Sequence, residues 1–201
     1  EMDKQRETFT EGATGRGIPK DKAVEVFDLM AKFADYGFNK SHAAAYALVS
    51  YQTAWMKANY PVPFLAACMS LARERTEKLA ALRQEAERLG IRVLPPNINS
   101  SDADFTVEKQ EDGQLAIRYA LAAVKKVGFA AMQGLTESRG KRPFQDLADF
   151  AARVDPRNLN KMQLENLARA GAFDTLEANR SRVFSAIETI LKRAHARAQE
   201  E

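Results

Sequence analysis

Apolar and polar positions repeat along most of this chain with the period of a helix, and that rhythm breaks only between about residues 95 and 120. Residues 2–14 read as a polar helix, broken by the glycines at 12, 15 and 17 together with Pro19. From Lys20, the apolar residues Val24, Phe27, Met30 and Phe33 recur at steps of three and predict a second helix with an apolar face toward its neighbour, closed by Gly37. Asn39 or Ser41 can cap a third helix, His42 to Asn59, ended by Pro61. On it Ala44, Leu48, Tyr51, Trp55 and Ala58 share one stripe, the expected buried face. His42, Tyr46, Ser50, Thr53 and Lys57 share a second stripe that has no need to be buried and is placed to meet a ligand. Pro61 and Pro63 force a turn before a short apolar helix, Phe64 to Leu71. EKLAALRQEAERLG then supplies an amphipathic helix with Leu79, Leu82, Ala86 and Leu89 inward and Gly90 as its C-terminal cap.

The texture changes in IRVLPPNINSSDADF, which is β-prone and rich in turn residues. TVEKQEDGQLAIRYAL follows and reads as two strands around an Asp112-Gly113 turn. Helices return at Leu121. One starts at Phe129, a linker helix runs from Gln145 to Val154 with Leu147 and Phe150 inward, and Asn160 caps another that ends at Ala170 before Gly171. Asn179 caps a last helix carrying Val183, Phe184, Ile187 and Leu191. The expected fold is mainly α, with boundaries at 1–94, 95–120 and 121–201.

Composition narrows the class without deciding it. A chain of 201 residues with 45% hydrophobic and 28% charged residues can bury a real core and is not disordered. A net charge of +3 with pI near 9.0 permits nucleic-acid binding without demanding it. One cysteine, Cys68, excludes an internal disulfide and thiolate zinc motifs, fits a reducing cytoplasm, and sits in an apolar run that predicts buried packing. No apolar run reaches a membrane span, and no signal-peptide pattern opens the chain, so a cytoplasmic protein with no membrane partner is expected. It begins at Glu1 inside a charged helix, which reads as a piece of a longer polypeptide.

The suggestive chemistry lies at the start of the third helix, where free N–H groups and the helix dipole favour an anion. Lys40 and His42 flank that end and Tyr46 follows one turn on, so a phosphate there meets a cation, a titratable donor and backbone amides together. The same residues also read as a solvated lysine, an ordinary helix histidine and a core tyrosine. Asp102 and Asp104 look like the carboxylate pair of a two-metal site, yet they follow an Asn-Ser-Ser turn and read as loop formers. Gly12, Gly15 and Gly17 lack the Gly-Lys-Ser ending of a phosphate loop, and His195 lies in a charged tail with no partner ligand nearby in sequence.

GFNKSHAAAYALVSYQTAWMKANYP closely resembles the fingers region of the bacterial C-family replicative polymerases, the DNA polymerase III alpha subunits. MDKQRETFTEGATGRGI before it, and LGIRVLPPNINSSDADF, VKKVGFAAM and NKMQLENLARAGAFD after it, follow in that family's order, so the resemblance covers almost the whole chain. It implies a helical fingers bundle at 1–94, a small β-containing connector at 95–120 and a helix-hairpin-helix DNA-binding unit at 121–201. It implies an enzyme that extends a primer on a DNA template from dNTPs, with Mg2+ and the reacting carboxylates supplied elsewhere in the parent enzyme and no cofactor in this piece. Lys40, His42 and Tyr46, with Gln52 more distant, are the nucleotide-binding candidates.

VKKVGFAAMQGL resembles the helix-hairpin-helix motif, in which amides around a hairpin hold a DNA phosphate without reading bases. Lys125, Lys126 and Gly128 are the contacts implied, although Lys126 stands where the motif has its first glycine. NLNKMQLENLARAGAFDTLEANRSRVFSAI is a second, longer hairpin with Arg180 and Arg182 as its phosphate candidates or plain surface charges. Implied partners are primer-template DNA, dNTP, other domains of the polymerase and replisome subunits such as a sliding clamp. The competing expectations are a stand-alone DNA-binding module, or a replisome interaction platform with no nucleotide role.

Overall fold

The computed structural model describes residues 2–36 and 40–200, apart from the side chains of residues 34–36, 40, 41 and 200. Gly37 and Asn39, read as a helix stop and a cap, lie outside the described residues. The chain is mainly α, with nine α-helices and one three-stranded sheet among the described residues, and divides into two compact units, Glu1–Trp55 and Met56–Glu201.

In the first unit α1 (Met2–Thr14) packs on α2 (Lys20–Tyr36), with Thr10 and Ala23 buried and the rings of Phe9 and Phe27 5.6 Å apart. Gly12 lies inside α1 rather than breaking it. The closure comes from Gly17 at φ +86°, with Ile18 N–H donating to Ala13 O at 3.1 Å. Of the apolar series on α2, Val24 and Phe27 are half-buried, whereas Met30 and Phe33 are exposed, Phe33 by 79%. Steps of three fall short of a helical turn, so the series rotates by roughly 180° between Val24 and Phe33 and leaves the packed face.

Helix α3 (Lys40–Asn59) corrects the sequence expectation more sharply. Its stripe of Ala44, Leu48, Tyr51, Trp55 and Ala58 is exposed along its length. Val49 and Met56 are exposed as well, so apolar side chains surround the helix instead of marking one side. Periodicity tells which residues share a face; a covering surface must be supplied separately.

The second unit has two cores. In the first, α4 (Pro61–Leu71) and α5 (Thr76–Arg88) pack against the sheet β1 (Val93–Leu94), β2 (Thr106–Lys109) and β3 (Leu115–Arg118) through Leu65, Met69, Leu79, Ala86, Phe105 and Ile117. α4 begins at Pro61, three residues before the expected Phe64, because prolines suit a first turn whose N–H groups are unbonded anyway. Gly90, at φ +70°, ends α5 with Ile91 N–H on Ala86 O at 2.9 Å. Leu89, expected inward, is exposed. Strand order is β1-β3-β2, with β1 parallel and β2 antiparallel to β3 around the predicted Asp112-Gly113 turn. Cys68 on α4 is half-buried, and burial pushes its thiol pKa up while the Lys57 charge opposes this.

The second core gathers α6 (Phe129–Arg139), α7 (Leu147–Arg153), α8 (Lys161–Arg169) and α9 (Arg180–Glu200). Phe150 is fully buried, edge-on to Phe144 at 5.0 Å and to Phe173 at 5.2 Å. α9 turns Val183, Ile187, Ile190 and Ala194 inward at helical spacing. Phe184 of the same helix is exposed, with the Arg169 guanidinium 5.0 Å from its ring centre. Leu191 is half-buried, and His195 Nδ1 lies 2.7 Å from Leu191 O.

Candidate nucleic-acid interface

The first turn is prepared by a 3-10 turn, Leu121–Ala123, whose Leu121 is fully buried. Val124 follows in extended geometry, Val127 is buried, and the residues between them are pushed outward. Lys125, Lys126 and Gly128 are all exposed. Among the described residues neither lysine pairs with a carboxylate, and the N–H groups of Lys125, Lys126 and Gly128 meet no protein acceptor. Gly128 is the N-cap of α6 and provides no side-chain cap; the first intrahelical bond there runs from Met132 N–H to Gly128 O at 3.2 Å. Unbonded amides, the positive end of a helix dipole and two unpaired cations thus converge at one exposed place.

The other helices of this core spend their N-termini internally. Asp146 caps α7, Asn160 and Gln163 form a capping box on α8, and the Asn179 carboxamide accepts from Ser181 and Arg182 N–H on α9.

Lys126 has φ +62°, the left-handed region that favours glycine, and is the one non-glycine residue in it among the described residues. The substitution of lysine for the motif's first glycine therefore leaves the turn in place and stores strain in it. Gly128 is extended at φ −78° and ψ 144°, and a Cβ there would meet only Gln163 Nε2 at 3.6 Å.

The second turn is built differently. Gly171 sits at φ +81°, with Gly171 N–H on Ala168 O and Ala172 N–H on Leu167 O, both at 3.0 Å. Arg180 is held bidentately by Asp174, Nε to Oδ1 at 2.9 Å and Nη2 to Oδ2 at 2.6 Å, and also donates to Arg169 O at 3.2 Å. The Asp174 carboxylate raises the Arg180 pKa and keeps it charged. Arg182 lies 3.7 Å from Glu177. Both arginines are thus partly neutralised, unlike the lysines of the first turn.

The segment 97–104 ties these parts together. Ile98 N–H donates to Ala172 O at 2.7 Å beside the second turn. At the end of α6, Arg139 donates to Ile98 O, Ser101 O and Asp102 Oδ1. Asp104 pairs with Arg73 at 3.1 Å, and the Arg73 guanidinium lies 4.3 Å from the Phe129 ring centre at the start of α6. Asp102 and Asp104 therefore serve two different arginines, and they do not fit as a paired ligand set for Mg2+.

Beside the first turn lies a groove of about 930 Å3, lined by residues of α5 and by Lys125 and Lys126. Arg83 and Tyr119 line it and carry no sequence motif; their shared location depends on α5 packing over the sheet.

On α3 the rings of His42 and Tyr46 are 4.4 Å apart, so these two candidates do share a place. Gln52 is exposed and lies about 120° around the helix from Tyr46, so it is not brought to them. Lys40 is the first residue of α3, and its side chain is outside the described set. Lys57, on the same expected stripe, is engaged by Glu85 of α5 at 2.6 Å.

A family model described as a helix-hairpin-helix motif matches residues 90–183. The DNA polymerase III subunit alpha of Caulobacter vibrioides is 50% identical over 197 residues, covering 98% of this chain and 17% of that protein. The Escherichia coli K12 subunit is 46% identical over 202 residues, and the Thermus aquaticus one 46% over 193, covering 99% and 96% of this chain and 17% and 15% of those proteins. The chain thus spans about one sixth of the length of these relatives.

Proposed function

We propose that this chain, homologous over 98% of its length to one segment of the bacterial DNA polymerase III alpha subunits, grips duplex DNA for a replicative polymerase. The grip is on phosphates and indifferent to sequence, which suits an enzyme that must advance along any template. The observation that carries this reading is the exposed turn at Lys125–Gly128, where unpaired lysines and unbonded amides meet the uncapped N-terminus of α6 inside the helix-hairpin-helix match. Lys125, Lys126 and Gly128 make the principal contact. Arg180 and Arg182 are secondary, since a phosphate there competes with Asp174 and Glu177.

The finer reading assigns 1–94 to the fingers, 95–120 to a connector and 121–201 to the hairpin region. The neighbouring rings of His42 and Tyr46, with Lys40 at the same helix end and Gln52 farther off, take part in binding the incoming dNTP by position and charge. We assign no reacting carboxylate to this chain, because Asp102 and Asp104 are already held by Arg139 and Arg73. Primer extension, Mg2+ chemistry, contacts with a sliding clamp and a cytoplasmic setting belong to the proposed parent enzyme. Among the described residues, no helix is long and apolar enough to cross a membrane.

The test is anisotropy of a labelled primer-template duplex across a salt series, with K125A/K126A alongside. Removing two phosphate-neutralising charges should flatten the slope of log K against log salt by about 2. An unchanged slope in the variant overturns the assignment of the turn. In the intact polymerase, H42A and Y46A should raise the apparent dNTP KM, and unchanged nucleotide kinetics would remove the α3 assignment.

A further inference from the structure

The groove beside the first turn combines cations with an aromatic ring and prolines, and a grip on duplex phosphates uses only its two lysines. Leu79, Ala80 and Arg83 of α5, Lys125 and Lys126 of the first turn, and Pro95, Pro96 and Tyr119 all line it. Arg83, Lys125 and Lys126 make no ion pair among the described residues, and Arg73, a fourth cation at the groove, is held by Asp104. Only Glu74 opposes them in the lining, so the groove is complementary to an anion.

Tyr119 is half-buried, packs edge-on to Phe105 at 4.8 Å, and its hydroxyl has no hydrogen-bond partner among the described residues. Burial raises its pKa and the Arg83 charge opposes that rise, so the phenol and the guanidinium share one neighbourhood. A volume near 930 Å3 exceeds what a bare phosphate needs and matches clefts that take drug-sized ligands. An aromatic ring and prolines flanked by cations suit a flat base carrying a phosphate. A base inside a duplex is already stacked on both faces, so the occupant has to be unpaired.

We propose that this groove seats one unpaired nucleotide of single-stranded DNA, its base against Tyr119 and the Pro95-Pro96 segment and its phosphates on Arg83, Lys125 and Lys126. The proposal rests on the reading of Lys125–Gly128 as a phosphate grip and extends it from duplex to single strand.

The 201-residue chain is titrated into a fluorescein-labelled oligothymidylate and, separately, into a duplex, with A80W and R83A compared to wild type. Ala80 is exposed on α5, so tryptophan fills the groove without changing charge or breaking the helix, and circular dichroism checks that the fold is kept. A80W should weaken single-strand binding about tenfold, with duplex affinity within twofold of wild type. R83A should flatten the single-strand salt slope by about 0.7 and leave the duplex slope alone. Duplex binding with no selective single-strand loss in either variant overturns the groove proposal alone. Wild type that binds neither DNA overturns the phosphate grip and the groove with it.

Discussion

Gly171 tests most directly whether the second turn is held as described. A Cβ at this position would overlap Arg180 Nη2 and come within 2.8 Å of Arg180 Cζ and of Asp174 Oδ2. The backbone at φ +81° adds a penalty independent of those neighbours, about 1–2 kcal/mol for an alanine in the left-handed region. The overlap itself is relieved by swinging the exposed Arg180 side chain away, at the loss of its bonds to Asp174 and Arg169 O. G171A should therefore lose about 1–2 kcal/mol in urea denaturation followed by far-UV circular dichroism, a drop in midpoint of roughly 0.5–1 M at a slope near 2 kcal/mol per M. G171N should lose less, because asparagine tolerates the left-handed region. The cost of G171A should persist in an R180A background, since backbone strain does not depend on the guanidinium. The reasoning is refuted if G171A stays within 0.5 kcal/mol of wild type, or if its cost vanishes in R180A.

At the first turn, K126G should be nearly neutral by urea denaturation, because relief of about 1 kcal/mol of left-handed strain offsets glycine's entropy cost of ~0.5–1 kcal/mol. K126V should instead lose about 1–2 kcal/mol, and equal midpoints for the two variants would count against the strained turn. F150A should cost about 3–5 kcal/mol, since the ring is fully buried between Phe144 and Phe173, and a loss under 2 kcal/mol by the same assay would contradict that packing. Glu85 is held down to a pKa of about 2, first by the Arg88 hydrogen bonds and then by Lys57. Because its folded pKa lies below the unfolded value of 4.5, its stabilisation is complete above pH 4.5 and fades as pH falls toward about 2. E85Q should be less stable at pH 6 and show a smaller loss over that acid range; identical acid profiles would exclude the ion-pair origin.

The sequence by itself determined most of the helical segments, the hairpin and the caps at Asn160 and Asn179. Those features are local: Gly90, Gly113 and Gly171 each adopt a positive φ where a turn was expected, and Asn160 and Asn179 cap the helices they precede. The central motif also carried the resemblance to the DNA polymerase III alpha subunits, of which the Caulobacter vibrioides one is 50% identical over 98% of this chain. Tertiary structure decided what those local signals leave open. The α3 stripe was legible as a set of residues sharing a face, but its exposure depends on whether another surface meets it. Arg180 and Arg182 read as cations at a helix start, and only folding brings Asp174 and Glu177 to them while leaving Lys125 and Lys126 unpaired. The groove joins α4, α5, β1, Tyr119 just past β3 and the first turn, and its lining runs from Met69 to Ala170, about 100 positions apart in sequence. No periodicity links such distant residues; packing over the sheet places Arg83 and Tyr119 beside the lysines.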